Sequence, residues 1–359
     1  MPAGIRKEVQ KLQGYQLEIP PHRVKLNQNE SPRDLPDHLK KKVLGRIADL
    51  SWNRYPTPFC DPLRQRIAQK VGWYDDGVIV SAGSNILIQA VMIAASVNGK
   101  IMTVTPSFSL YEIEGLLLGN SVMEVPLSRE DFSLPRDLFL KRLKKEKPNL
   151  VFLANPNAPT GNLFLEDDLV AVLETAKSLG ALVVVDEAYY PFSGFTLFHH
   201  LRMFSNLVLV RTLSKAYSLG GARLGYLLAD PKIAAEVIKV VLPFHVSQLT
   251  QAVGEVVLEE DAYVAPLVNE IIQEREVLYQ SLKRIPGITV FPSHTNFLLF
   301  QTPRSKEIFQ KLLEEGILIR DVSHHSLPNS LRVSVGTREE NRLFLEVMGK
   351  ASASFKDKH

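Results

Sequence analysis

The chain has a single cysteine, Cys60, so no internal disulfide can hold it together. It has no strong charge of one sign. Lysine and arginine total 42 against 39 acidic residues, the net charge is +3, and the longest basic block is Lys40-Lys-Lys42. That is not the electrostatic footprint of a nucleic-acid binder. The longest strongly apolar stretch, Ile86 to Ala95, falls far short of the roughly 20 residues of a membrane span. The opening residues Met-Pro-Ala-Gly-Ile-Arg-Lys show no apolar signal-peptide core. The expectation is a cytoplasmic protein without nucleic-acid or membrane partners. Internal repeats, low-complexity segments and long linkers are also missing. What remains is an ordinary globular composition, 45% hydrophobic and 23% charged over 359 residues. This length suits a large unit plus a smaller one rather than one simple core.

Between about 77 and 230, short apolar runs alternate with helix-like segments. The runs are Val78–Val80, Ile101–Val104, Leu150–Leu153, Ala181–Val185 and Leu207–Val210. Each is continuous rather than alternating, the pattern of strands buried on both faces. Glu166 to Gly180 reads as an amphipathic helix with an acidic first turn and a closing glycine. These signals predict an α/β fold with a large doubly wound, mostly parallel sheet. Beyond about 235 the pattern changes to helices at Leu267–Arg284, Lys306–Glu315 and Glu339–Gly349. Strand-like segments lie between them at Ile288–Phe291, Asn296–Phe300, Ile317–Arg320 and Leu331–Val335. The expected division is a large domain over 51–235 and a small α+β domain over 236–359. Residues 1–50 form an arm that joins the small domain or crosses to a partner subunit.

Ligands of open α/β sheets bind outside the carboxyl ends of the strands. Here those ends carry Ser81–Asn85, Thr105–Phe108, Asn155–Gly161, Asp186–Tyr189 and Thr212–Lys215. Lys215 directly follows a buried strand, a poor place for a solvated charge. A desolvated lysine has a depressed pKa and can condense with an aldehyde. The bland alternative is that Ser214 caps a helix and Lys215 is solvated. With Thr212, Ser214 and Arg223 nearby, the segment offers an amine beside an anion clamp, which is what pyridoxal 5′-phosphate requires. Asp186 ends a buried strand and needs a cationic partner; a pyridine nitrogen would serve, turning the ring into an electron sink, although a cap or internal ion pair would also satisfy it. Gly83-Ser84-Asn85 opens a helix, where backbone amides favour an anion, though it is also an ordinary turn. Phe108 is placed to stack on a flat ring or to be plain core. The expectation is an organic cofactor and no metal.

The segment Arg211–Tyr226 resembles the pyridoxal-lysine signature of fold-type-I aminotransferases. More broadly, from about residue 15 to 348 the chain resembles the histidinol-phosphate aminotransferase family. The resemblance rests on Leu26-Asn-Gln-Asn-Glu-Ser-Pro32, Arg54-Tyr-Pro56, Asn155-Pro-Asn-Ala-Pro-Thr-Gly161, Asp186-Glu-Ala-Tyr189, Arg211-Thr-Leu-Ser-Lys215 with Arg223, and Leu331-Arg-Val-Ser-Val-Gly-Thr-Arg338. It implies a fold-type-I, pyridoxal-phosphate-dependent transferase of histidine biosynthesis. Lys215 would carry the cofactor and move the proton, Asp186 would hold the ring nitrogen, and Tyr189 would bond the ring hydroxyl. Ser84, Asn85, Thr212, Ser214 and Arg223 would hold the phosphate. Tyr55 would reach that phosphate from a neighbouring subunit, implying a homodimer. Arg332 would bind the substrate carboxylate and Asn29 would line the pocket.

Two positions depart from the family. Ala158 stands where an asparagine usually precedes Pro-Thr-Gly, and Asn157 lies one position early for the same cofactor contact. Asn85-Ile86 replaces a usual Asp-Glu pair. Arg320, at a strand end, is assigned to a substrate phosphate because arginine forks bind anions bidentately, with Tyr15 contributing; His324 and His325 read as surface residues. The expected substrates are a small amino donor, histidinol phosphate, and a 2-oxo acid acceptor such as 2-oxoglutarate. Competing readings are an aromatic aminotransferase, a threonine-phosphate decarboxylase-like lyase, and a pyridoxal-phosphate-binding regulator without turnover. A nucleotide-binding protein using Gly220-Gly221 is disfavoured, because those glycines do not follow a strand.

Overall fold

The computed structural model describes residues 4–12, 14 and 18–353. After a short strand β1 (Val24–Lys25), seven strands build one sheet. They are β2 (Val78–Ser81), β3 (Lys100–Thr105), β4 (Ser121–Pro126), β5 (Leu150–Ala154), β6 (Leu182–Asp186), β7 (Leu207–Thr212) and β8 (Gly225–Ala229). Their spatial order is β2-β8-β7-β6-β5-β3-β4. β8 runs antiparallel to both neighbours, and the other pairs are parallel.

Successive strand residues go to opposite cores, which is why the runs are continuously apolar. Val183, Val185, Leu207 and Leu209 pack on one side with Leu173 and Val257. Val184, Val208 and Val210 pack on the other with Leu87, Val91 and Tyr111. All the expected runs are strands. Two strands had no clear signal. β4 is a half-exposed edge with a glutamate in it. β8 opens on a glycine within the stretch that reads as the lysine signature.

The remaining strands are β9 (Thr289–Val290), β10 (Phe297–Gln301), β11 (Ile317–Leu318), β12 (Arg320–Asp321) and β13 (Ser330–Ser334). Four form an antiparallel sheet in the order β12-β13-β10-β9. The expected strand Ile317–Arg320 is broken: β11 pairs in parallel with β1, while β12 pairs with β13. A third core gathers Ile271, Phe297, Phe300, Leu331 and Phe344, together with Val24 and Leu26 from the start of the chain. The segment after β1 therefore runs between the small sheet and the carboxyl edge of the large one. Among the described residues no helix is long and apolar enough to cross a membrane.

Candidate active site

Lys215 lies three residues beyond β7, part-buried, with Nζ donating to the Gln28 carbonyl at 2.9 Å. Burial lowers its pKa from 10.5 to about 8, and the nearby Arg332 guanidinium adds to the effect. The neutral amine, the form a nucleophile or proton carrier needs, is thus far more accessible than in a solvated lysine.

One strand over, Asp186 closes β6 and is buried. Its Oδ2 accepts from the Tyr111 hydroxyl at 3.0 Å and its Oδ1 from the Ala188 amide at 3.0 Å. Burial pushes the carboxyl up to about 6, against the pull of these two donors. A buried carboxylate with no cation bonded to it suits a protonated ring nitrogen. Tyr111 has no counterpart in the sequence reading. It is fully buried, stacks on Phe152 with ring centroids 5.1 Å apart, and meets the edge of Phe108 at 5.6 Å. The i, i+3 spacing from Phe108 was the available signal. Next to Asp186, Glu187 forms a buried ion pair with Arg211 at 2.8 Å and also accepts from Thr196 and Leu197. This pair ties the end of β6 to the end of β7.

The anion cup is built by close backbone approach. Gly225 pairs with both Ser81 and Thr212. A Cβ on Gly225 would stand 2.4 Å from the Ser84 amide nitrogen. One on Gly83, where φ is +96°, would meet Arg223 Nη2 at 2.7 Å. Only glycines let the Arg223 guanidinium and the helix Ser84–Ala95 come this close. That helix has no side-chain cap, so its first amides face outward for an anion. Arg223 also reaches Ser214 Oγ at 3.4 Å and the Gly220 carbonyl at 3.1 Å. Ser84, Ser214 and Arg223 therefore converge as expected. Thr212 turns its hydroxyl to the Leu224 carbonyl and the Ser214 amide, shaping the cup from below. Asn85 is exposed on the same helix start. A cleft of about 380 Å³ opens beside the cup, lined by Ser214, Gly220, Gly221, Lys25, Glu30 and Ser334.

The N-terminal segment organises the other wall. Tyr189 is buried and its hydroxyl accepts from Asn29 Nδ2 at 2.8 Å. Asn29, in a left-handed conformation with φ 54°, is fixed in turn by Ser334. Arg332 on β13 donates to the Asn27 carbonyl at 3.0 Å and lies 5.2 Å from the centre of the Phe297 ring. Arg320 stands directly opposite Arg332 in the β12–β13 register. The consecutive region 27–29 thus meets Arg332, Lys215 and Tyr189 in turn.

One expectation comes out differently, and two concern contacts beyond the described residues of this single chain. Asn157 is fully buried, with Oδ1 accepting from Ser107 and Nδ2 donating to the Pro106 carbonyl and Thr160. Both ends of its amide are occupied in bracing the loop, so it is a brace rather than a free cofactor ligand. Tyr55 is 83% exposed, with its ring 5.0 Å from that of Phe244; the contact expected of it is with a neighbouring subunit's cup, not with its own. Tyr15 lies outside the described residues.

The donor set fits pyridoxal phosphate: a lysine of lowered pKa, a buried carboxylate on the adjacent strand end, a tyrosine hydroxyl, and a glycine-built anion cup. The aminotransferase class I and II family matches residues 21–348. The chain is 38% identical to the histidinol-phosphate aminotransferase of Deinococcus radiodurans, over 95% of this chain and 94% of that one. It is 35% identical to that of Aquifex aeolicus, over 98% of each. Its fold matches the solved histidinol-phosphate aminotransferase of Sinorhizobium meliloti in complex with pyridoxal-5′-phosphate, with TM-score 0.88, 22% identity and 99% coverage of each chain. It also matches the L-threonine-O-3-phosphate decarboxylase of Porphyromonas gingivalis, with TM-score 0.80, 24% identity, and coverage of 93% and 100%. The fold is shared across such activities, while the sequence identity lies with one of them: the chain belongs to the class I and II aminotransferases, in the histidinol-phosphate aminotransferase family.

Proposed function

We propose that this protein is a pyridoxal-phosphate-dependent aminotransferase that takes the amino group of histidinol phosphate and passes it to 2-oxoglutarate. The observation that carries the substrate is the Arg320–Arg332 pair, two arginines directly opposite each other in the β12–β13 register, next to the segment that also binds Lys215. Two arginines so placed suit an anion with several oxygens, which each fork can bond bidentately.

When bound, the cofactor supplies the aldehyde that receives the amino group and the ring that accepts the electron pair from the substrate carbon. The chain supplies the rest. Ser84, Ser214, Arg223 and the helix amides hold the phosphate, with Asn85 at the rim. Asp186 keeps the ring nitrogen protonated, and Phe108 covers a ring face. Tyr189, oriented by Asn29, donates to the ring hydroxyl. Lys215 Nζ, neutral in part near pH 8, takes the proton from the donor's Cα and returns it on the far side of the transfer.

In this reading residues 51–235 hold the cofactor, and 1–50 with 236–359 close over it. The protein works as a cytoplasmic homodimer. Trp52, Tyr55, Leu242 and Phe244 are large exposed apolar side chains on two segments joined by the Phe244 amide bond to the Pro58 carbonyl. A patch of this kind supports a subunit contact.

The test is a donor screen. Histidinol phosphate should exceed histidinol in kcat/KM by about one to two orders of magnitude, the worth of charge-assisted bonds of roughly 1.5–3 kcal/mol. Arg320→Ala should erase most of that preference and leave the cofactor spectrum unchanged. Equal rates for the two donors would overturn the substrate assignment. Faster turnover of phenylalanine would move the protein to aromatic substrates, and carbon dioxide release from threonine phosphate would make it a lyase.

A further inference from the structure

Away from the catalytic cleft, one group of three metal-ligating side chains converges among the described residues: Glu166, His199 and His200. Glu166 opens the helix Glu166–Ser178, and the histidines sit in the 3-10 turn Phe198–Arg202. The two Nε2 atoms point at the same oxygen, Glu166 Oε1, at 3.0 Å from His199 and 2.7 Å from His200. All three ligand atoms lie within 4.8 Å of one another. The two imidazole rings pack with centroids 4.1 Å apart, and His200 is held against Phe204.

We propose that Glu166, His199 and His200 form a binding site for a divalent transition-metal cation of the zinc class. Two imidazole nitrogens and one carboxylate oxygen suit zinc, cobalt or nickel, whereas magnesium and calcium require mostly oxygen ligands. The site departs from the metal-free expectation drawn from the sequence. Ligands bonded to zinc at about 2.1 Å in a tetrahedral array stand roughly 3.4 Å apart. Each histidine–glutamate spacing therefore needs an opening of only about half an ångström. The side chains of Glu166 and His199 are 43% and 58% exposed and free to supply it, while that of His200, at 9%, is the fixed ligand. The exposed pair gives the ion an entry path and leaves its fourth position to water. His200 Nδ1 is buried without a hydrogen-bond partner. No outer group therefore orients the ring, which typically costs 10–100-fold in affinity; with only three protein ligands, two of them on exposed side chains that must be ordered on binding, the expected dissociation constant is about micromolar.

The bound ion would clip the helix start to the turn. That turn continues into Leu197 and Thr196, which bond Glu187 beside Asp186. The site thus braces the strand end that carries the cofactor carboxylate without taking part in the chemistry.

The test uses the purified full-length holoenzyme after chelator treatment, titrated with zinc chloride by calorimetry and followed in parallel by thermal melting. The expected result is one micromolar site per chain and a melting midpoint that rises with zinc and not with magnesium. Substituting the exposed ligand, His199→Ala, should weaken that site at least tenfold and remove the zinc-dependent shift. Glu166→Gln should do the same without touching either histidine. Absence of a site at 100 µM zinc (a concentration about a hundred times the expected constant) would overturn the proposal. Unchanged zinc binding and melting in both variants would also overturn it, by placing the ion elsewhere.

Discussion

Replacing Lys215 with methionine should make the cofactor-free protein more stable at neutral pH. Burial holds the lysine pKa at about 8 against 10.5 in the open. A shift of that size corresponds to about 3 kcal/mol spent on keeping a charge in a poorly solvated place. Part of the side chain still meets cleft water, so the realised penalty is about 1–3 kcal/mol. Methionine fills similar volume with no charge to desolvate. The sign follows from proton counting. Between pH 8 and 10.5 the unfolded chain binds a proton at this lysine that the folded chain does not, so wild-type stability rises with pH across that window. Above it the charge penalty is gone. Lys215→Met lacks this contribution. Its advantage over wild type should be full below pH 8 and vanish by about pH 10.5. The assay is urea unfolding of both cofactor-stripped proteins at fixed protein concentration across pH 7 to 10.5, taking the difference so that other lysines and tyrosines cancel. Equal stability at pH 7, or a difference that does not change with pH, would refute the view that Lys215 sits desolvated in a site built for something else.

Tyr111→Phe removes one of the two donors that oppose the rise in Asp186 pKa. A hydrogen bond to a charged group is worth about 1.5–3 kcal/mol, so the carboxyl should titrate about one to two pH units higher. In the cofactor-free protein, the stability that a raised carboxyl pKa loses as pH climbs from about 4 to 6 should then be lost up to about pH 7–8. Carboxyl carbon NMR of that residue, and unfolding against pH, check it. For the subunit contact, light scattering should find a dimer. Tyr55→Phe should weaken cofactor affinity by about tenfold or more, the loss of one charge-assisted bond, while leaving the dimer intact; an active monomer contradicts that arrangement.

The large sheet was legible because its strands are buried on both faces, so each wrote itself as an unbroken apolar run. Lys215 and Asp186 were legible because each stands at the end of such a run, where a charge has no structural excuse. Other parts of the site left no comparable trace. The Gln28 and Asn27 carbonyls that receive Lys215 and Arg332 are backbone groups, and any residue could present them. Tyr111 went unnoticed, because its partner is 75 residues away. Asn157 looked available, because sequence shows a side chain and not whether Ser107, Pro106 and Thr160 have already taken both its ends. β4 and β8 were missed for opposite reasons, one too polar at its edge and the other hidden inside a motif with a second meaning.

The pairing of Arg320 with Arg332 is the clearest case of information that arises only on folding. The two residues look like separate strand-end arginines until the chain breaks at Ile319, between β11 and β12. The first half then pairs with the N-terminal strand and the second lies against β13. That break brings one arginine opposite the other across the two strands. It also ties the arginine pair to β1 and, through the residues that follow β1, to Lys215 and Tyr189. The same site holds Arg223 in its cup and a lysine already pushed toward neutrality by its surroundings. Glu30 offsets part of this positive charge, and on the proposed assignment a cofactor phosphate in the cup and an anionic substrate at the arginine pair would add further favourable pairs. Binding and stability should therefore be linked at this site, and under that assignment the same cations would favour a phosphate-bearing substrate.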